Sequence, residues 1–168
     1  VTTKFDIPEL DATSLIIDGL FGSGVNKPLA GGFAALVKYI NQCPAKVVSI
    51  DMPSGLMTED NSYNVRANII RADYTLTLHS KKLSMYLADC QEYLGKVQVL
   101  DIRLSQEYMR DVDATYSILE EKDIRPRLLP RNDFAHKGSM GNALIIAGSY
   151  GMSGAAILSA RACLRAGA

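Results

Sequence analysis

Two apolar runs, each ending on an aspartate, constrain this chain more than any other feature. Leu15-Ile16-Ile17-Asp18-Gly19-Leu20 begins without a polar break, and Lys46-Val47-Val48-Ser49-Ile50-Asp51 repeats the pattern. Short continuous apolar runs mark strands buried on both faces, as in a parallel sheet. Each run passes straight into a turn composition. Gly22-Ser23-Gly24, Pro28 and Gly31-Gly32 follow the first, and Met52-Pro53-Ser54-Gly55 follows the second. Between them, Phe33, Leu36, Val37 and Ile40 share one helical face, with Asn41 and Pro44 closing the helix. Residues 73–79 predict a third strand, 84–93 a helix and 95–102 a fourth strand. Strands alternating with amphipathic helices predict an α/β fold, a parallel sheet with helices on both faces.

The pattern changes near residue 115. Residues 119–136 are charged and carry Pro126 and Pro130, as an inter-domain connection does. Ala143-Leu144-Ile145-Ile146-Ala147 then predicts a new strand, Gly148 to Gly154 a turn, and 155–166 an Ala-rich helix. This is the first strand-loop-helix unit expected of a second α/β domain. The 168 residues alone suggest one domain, whereas the patterning predicts parts of two. The chain opens on Val1-Thr2-Thr3-Lys4 and stops at Leu164-Arg165-Ala166-Gly167-Ala168, as expected of a segment of a longer polypeptide.

Charge and composition narrow the partners. Eighteen basic residues balance eighteen acidic ones, so the chain carries no electrostatic footprint for nucleic acid or an anionic membrane. No apolar run approaches the roughly 18 residues a membrane helix needs. Cys43, Cys90 and Cys163 form no Cys-x-x-Cys pair and are expected as buried or incidental thiols of a reducing cytoplasm. His79 and His136, the two histidines, cannot make a zinc site without carboxylates.

The candidate chemistry lies at the strand ends. In open parallel sheets, ligands bind beyond the carboxyl ends of the strands. If the first two strands are neighbours, Asp18, Asp51 and two polar turns face one cleft. The competing reading of each aspartate is an Asx turn or a helix cap. The Gly22-Ser23-Gly24 turn would let backbone N–H groups approach a pyrophosphate. It is not the dinucleotide fingerprint, because Lys27 stands where a third glycine is required. Ser54 and Gly55 offer a hydroxyl and amide cradle. Gly148 to Gly154 either holds an anion at a helix N-terminus or permits tight packing, and it lacks the Walker Gly-Lys-Ser/Thr. His136-Lys137-Gly138 reads as a solvated basic turn, and His79 as a hydrogen-bonded structural imidazole.

These motifs resemble a known family. Residues 15–24, Leu-Ile-Ile-Asp-Gly-Leu-Phe-Gly-Ser-Gly, and 47–56, Val-Val-Ser-Ile-Asp-Met-Pro-Ser-Gly-Leu, are similar to the central motifs of NAD(P)H-hydrate epimerases. Thr75-Leu76-Thr77 and Gly95-Lys96-Val97 resemble the end of the same domain. His136-Lys137-Gly138, Gly141, Ile145 to Ser149 and Gly154-Ala155-Ala156 resemble the start of the ADP- or ATP-dependent NAD(P)H-hydrate dehydratase domain. The resemblance implies a bifunctional repair enzyme. A Rossmann-like three-layer αβα epimerase part would span 1–115, a connection 116–135, and the start of a ribokinase-like α/β part 136–168.

The activity implied is repair of NADH and NADPH hydrated at C6 of the nicotinamide. R and S hydrates are interconverted, and the S form is dehydrated at the expense of ADP or ATP with Mg2+. Asp18 and Ser54 would help hold a potassium ion, with Asp18 also a candidate catalytic acid/base. Gly22, Ser23, Gly24, Val25, Asn26, Lys27 and Pro28 would bind the hydrate's phosphates. Asp51 would contact the substrate, and Ala155 would contact the hydrate in the second part. Further ligand motifs are expected outside this sequence. A cytoplasmic homo-oligomer acting on a small molecule is the expected context. A ribokinase-like kinase and a non-catalytic nucleotide- or protein-binding module are the alternatives.

Overall fold

The computed structural model describes residues 8–128, 130–136 and 138–167. The expected runs form strands, each one to three residues shorter than expected: β1 Leu15–Asp18, β2 Lys46–Ile50, β3 Tyr74–Leu78 and β4 Lys96–Leu100. They make one sheet in the order β1-β2-β3-β4, every pair parallel. Leu15 pairs with Lys46, Val48 with Tyr74, and Tyr74 with Lys96. The expected α/β class and parallel sheet are therefore present.

Side chains alternate across a strand, and the two faces of this sheet differ. Asp18, Val47, Ser49, Thr75 and Thr77 are buried on one face. On the other, Leu15 is 61% exposed, Ile17 67% and Tyr74 47%. Strand order explains the asymmetry. Parallel crossovers are right-handed, so connections between strands taken in consecutive order all cross the same face. Only a reversal of strand order sends a helix across the other. The expectation of helices on both faces is thus not met among the described residues.

The covered face carries two clusters. Val37 and Ile40 of helix α1 (Gly31–Gln42) pack with Val47, Leu29, Ile70 and Ala72. The buried stripe of α1 is Ala34, Val37 and Ile40. Phe33, expected on that stripe, instead meets Phe21 edge-on at 5.0 Å. Asn41 does more than end the helix. Its side chain donates to the Ile69 carbonyl at 2.8 Å and accepts from the Arg71 amide at 2.9 Å. The second cluster joins Met52, Leu56, Ile69, Met85, Cys90, Tyr93 and Leu94. Residues 84–93 do not form the single helix expected of them. They divide into 3₁₀ turns Leu83–Tyr86 and Ala88–Cys90 and a short helix α2, Gln91–Leu94. Leu87 causes the break, because its backbone is extended, at φ −89° and ψ 133°. Helix α3, Gln106–Asp111, is capped by the Ser105 hydroxyl.

Asp73 fastens the start of the sheet. Its carboxylate accepts from Lys46 Nζ at 2.9 Å and from the Val47 amide at 2.8 Å. The Lys46 hydrogen bond, then the Val47 amide, hold its carboxyl below the ordinary value of 3.8. A depressed folded-state pKa gives stability that is present above 3.8 and disappears as pH falls through the lower folded value. We expect Asp73→Asn to cost about 1 kcal/mol at neutral pH, discounted because Lys46 is solvent-screened. Urea unfolding at a series of pH values should show the two proteins converging only below that range.

The chain divides into two units, Val1–Tyr116 and Ser117–Ala168. The second contains α4 (Glu121–Ile124), a 3₁₀ turn (Arg125–Arg127) and α5 (Gly154–Ala166). Helix α5 matches the expected helix and ends on Gly167 in the left-handed region, at φ 109°. The strand expected at 143–147 is not formed. Leu144 is 86% and Ile146 89% exposed, and a strand is defined by the neighbour it bonds. In this unit the only bridge among the described residues is the tight one between Ser149 and Met152.

Candidate functional site

β1 and β2 are neighbours and parallel, with Asp18 opposite Ser49. Their carboxyl ends and the turns that follow therefore share one edge of the sheet. Each aspartate reaches across to the other strand's turn. Asp18, 2% exposed, accepts from Ser49 Oγ at 2.8 Å, from the Ser54 amide at 2.8 Å and from Ser54 Oγ at 2.5 Å. Asp51 accepts from the Ser23 amide at 3.0 Å. The Asx-turn alternative is present as well, since the Leu20 amide donates to Asp18 Oδ1 at 3.4 Å beside the shorter contacts to Ser49 and Ser54. The two carboxylates act as a reciprocal clasp between the turns.

Local backbone makes this possible. Asp51 has φ 66°, a left-handed value that aspartate tolerates better than most residues. Its amide still donates to Leu76 at 2.8 Å. Gly22 packs closely on the clasp: a Cβ there would stand 3.0 Å from Asp51 Oδ2, so the carboxylate would have to shift by a few tenths of an ångström. Gly55, at φ 95°, lies against the Asn68 carbonyl.

The Ser54 hydroxyl also accepts from the Phe21 amide at 3.0 Å and lies 3.3 Å from the Phe21 carbonyl oxygen. The Asp18 carboxylate, the Ser54 hydroxyl and the Phe21 carbonyl form an all-oxygen, singly anionic set. Such a set matches a hard cation of low charge. Beyond the clasp, Gly24, Val25, Asn26, Lys27 and Pro28 line a cavity of about 310 Å³, backed by Phe21 and Phe33. Lys27 is exposed and pairs with no carboxylate among the described residues. Loop amides and a free ammonium suit an anionic ligand.

The other candidates are placed less favourably. Ala155 is exposed in the first turn of α5. The His136 ring accepts from the Gly138 amide at 3.2 Å, closing a local turn, and Lys137 lies outside the described residues. His79 is not the hydrogen-bonded imidazole expected. Its Nδ1 is buried without a hydrogen-bond partner, and Asp101 Oδ1, at 3.8 Å, is too distant to serve. Cys90 is buried, and that burial pushes its thiol up to about 11, which removes it as a nucleophile at neutral pH.

Sequence reasoning missed Lys82. Its Nζ donates to Asp51 Oδ1 at 2.5 Å, and the pair is largely buried, with side chains 16% and 13% exposed. Burial pushes the Asp51 carboxyl up, but the hydrogen bonds from Lys82, Leu78 and Ser23 and the Lys82 charge outweigh it. The net effect holds Asp51 below its ordinary value. The available signal was a cation four residues beyond the end of β3, in the polar turn at the same sheet edge as both aspartates.

Residues 1–84 match the family described as YjeF-related protein N-terminus, and the chain belongs to that family. It is 35% identical over 164 residues to the bifunctional NAD(P)H-hydrate repair enzyme Nnr of Coxiella burnetii, covering 98% of this chain and 33% of that protein. The corresponding enzyme of Dictyoglomus turgidum is 32% identical over 164 residues, 97% of this chain and 32% of its own. That of Escherichia coli is 28% identical over 158 residues, 94% and 30%. The chain spans about a third of the length of the curated relatives it matches.

Proposed function

We propose that this chain supplies much of an NAD(P)H-hydrate epimerase site and the entry to an ADP- or ATP-dependent dehydratase part. The carrying observation is the Asp18–Ser54 and Asp51–Ser23 clasp at the carboxyl edge of β1 and β2. Beside it, the Gly24 to Pro28 part of the loop lines a cavity of about 310 Å³. The family membership and the repair enzymes it resembles support the same reading. Residues 1–115 form the epimerase part, 116–135 the connection and 136–168 the start of the dehydratase. The open sheet face takes the second helical layer of a Rossmann-like αβα sandwich. The enzyme is a cytoplasmic homo-oligomer. Among the described residues, no helix is long and apolar enough to cross a membrane.

In this reading the loop amides and Lys27 bind the substrate's phosphates, and Asp51 contacts its polar groups. Epimerisation at C6 requires proton transfer around a hemiaminal carbon, work suited to a carboxylate. Asp18 is the candidate acid/base, and with Ser54 it would hold potassium. Its near-complete burial favours the ion-holding role. Potassium, when bound, would supply positive charge to the site. Ala155 contacts the hydrate in the second part. ADP or ATP with Mg2+ is a co-substrate of that part, and no residue of this chain is assigned to it.

The test gives the protein, at its full natural length, mixed R and S NADPH hydrate with ADP and potassium, and follows NADPH absorbance. Conversion of both epimers is expected. Conversion of S alone removes the epimerase assignment. No conversion, with sugar phosphorylation in its place, favours a ribokinase-like kinase. No turnover of either kind leaves a binding module.

A further inference from the structure

Lys82 makes three hydrogen bonds with the three protons of its ammonium. Besides Asp51 Oδ1, it donates to Thr77 Oγ1 at 2.9 Å and to the Leu78 carbonyl at 3.0 Å. Thr77 is fully buried, so the ammonium is anchored on the last turn of β3. A lysine with every proton committed to protein acceptors has none left for a ligand. It differs in this from Lys27, which is exposed at the loop. What Lys82 does control is Asp51. With one carboxylate oxygen held by Lys82, the other faces Gly22 and accepts from the Ser23 amide. The loops after β1, β2 and β3 are thereby joined in series, from Ser23 through Asp51 to Lys82.

We propose that Lys82 is a positioning residue of this site, acting through Asp51 to hold the Gly22-Ser23-Gly24 turn in the conformation that receives the ligand's phosphate. The proposal rests on the functional reading above and adds to it a residue outside the ligand shell. Without the ammonium, Asp51 is a largely buried carboxylate lacking its counter-charge. It would turn toward water and release the Ser23 amide. The turn would then sample several conformations, and ligand binding would have to select one of them, which weakens affinity without altering the chemical step.

The experiment compares wild type, Lys82→Met and Lys82→Arg at full natural length, by two readouts. Hydrogen exchange reports the Ser23 amide against those of β2. Steady-state kinetics with R-NADPH hydrate, coupled to dehydration, separate KM from kcat. In Lys82→Met we expect Ser23 to exchange at least about tenfold faster while Val47 to Ile50 are unchanged. KM should rise by about tenfold with kcat within about threefold, and Lys82→Arg should recover most of both. Unchanged Ser23 protection and KM in Lys82→Met would overturn the proposal. So would a loss of protection spread over the whole sheet that arginine does not restore, since that marks a general structural role. If Lys82→Met does not fold, Lys82→Gln, which keeps donors but no charge, is read by the same criteria. If wild type does not epimerise, the functional reading fails, and the exchange readout alone still upholds or overturns the latch.

Discussion

Replacing Asp18 by asparagine should both loosen the fold and stop epimerisation. The carboxylate is buried and accepts from Ser49 Oγ and the Ser54 amide on one oxygen, and from Ser54 Oγ and, at 3.4 Å, the Leu20 amide on the other. An asparagine amide offers one acceptor oxygen where the carboxylate offers two, and turns an NH2 group toward at least one donor. Buried donors left facing a donor cost about 1–3 kcal/mol each. We expect Asp18→Asn to lower unfolding free energy by about 2–4 kcal/mol and epimerisation by at least about 100-fold. Urea denaturation and the mixed-hydrate assay measure the two effects. Wild-type stability would mean the clasp is dispensable. A wild-type rate in a folded Asp18→Asn protein would remove Asp18 from the mechanism.

Gly55→Ala should be more damaging than its one-carbon size suggests. Gly55 sits at φ 95°, where an L side chain is strained, and a Cβ there would press into the Asn68 carbonyl, a backbone atom that cannot swing away. That carbonyl belongs to a stretch tied down on both sides. The Asn68 side chain donates to the Leu29 carbonyl at 2.7 Å, and the Ile70 amide to the Ser54 carbonyl at 2.9 Å. We expect a loss of about 3 kcal/mol or more, seen as a fall in Tm beyond about 10 °C. Gly19→Ala is the control, because nothing lies within 4 Å of the position its Cβ would take. It should change stability by no more than about 0.5 kcal/mol. Equal melting of the two variants would contradict this account of the turn.

The parts of the fold legible in the sequence are those where local pattern and tertiary demand agree. Leu15 to Asp18 and Lys46 to Ile50 are apolar runs that also find neighbours, so prediction and structure coincide. Ala143 to Ala147 has the same local pattern, but no described strand lies beside it and it stays unpaired. Residues 84–93 failed differently. Met85, Cys90, Tyr93 and Leu94 are all buried in one cluster, but the extended Leu87 divides them, and hydrophobicity does not reveal a backbone break. At the site, the aspartates and both turns were readable because strand ends concentrate ligands in parallel sheets. What each aspartate bonds was not readable, since Ser54 and Ser23 lie 36 and 28 residues away from their partners. Lys82 was missed for a related reason. A lysine beside Lys81 in a polar turn reads as solvated, and only the packed turn of β3 shows that it is not.

The consecutive strand order has a consequence for how the chain is made. Leu15 bonds to Lys46, Val48 to Tyr74, and Tyr74 to Lys96, so each strand pairs with the one synthesised just before it. Loop closure of this length is cheap compared with pairings across a whole domain. A ribosome releasing the chain from its N-terminus delivers β2 to β1, then β3 to β2 and β4 to β3, with none of these four described strands held back for a later insertion. Synthesis can therefore bring together the residues of the clasp early: once the β2 turn has emerged, Asp18 and Ser54 are both available, before β3 exists. Lys82 joins only after β3, which makes the Ser23–Asp51 half of the clasp the last to become rigid.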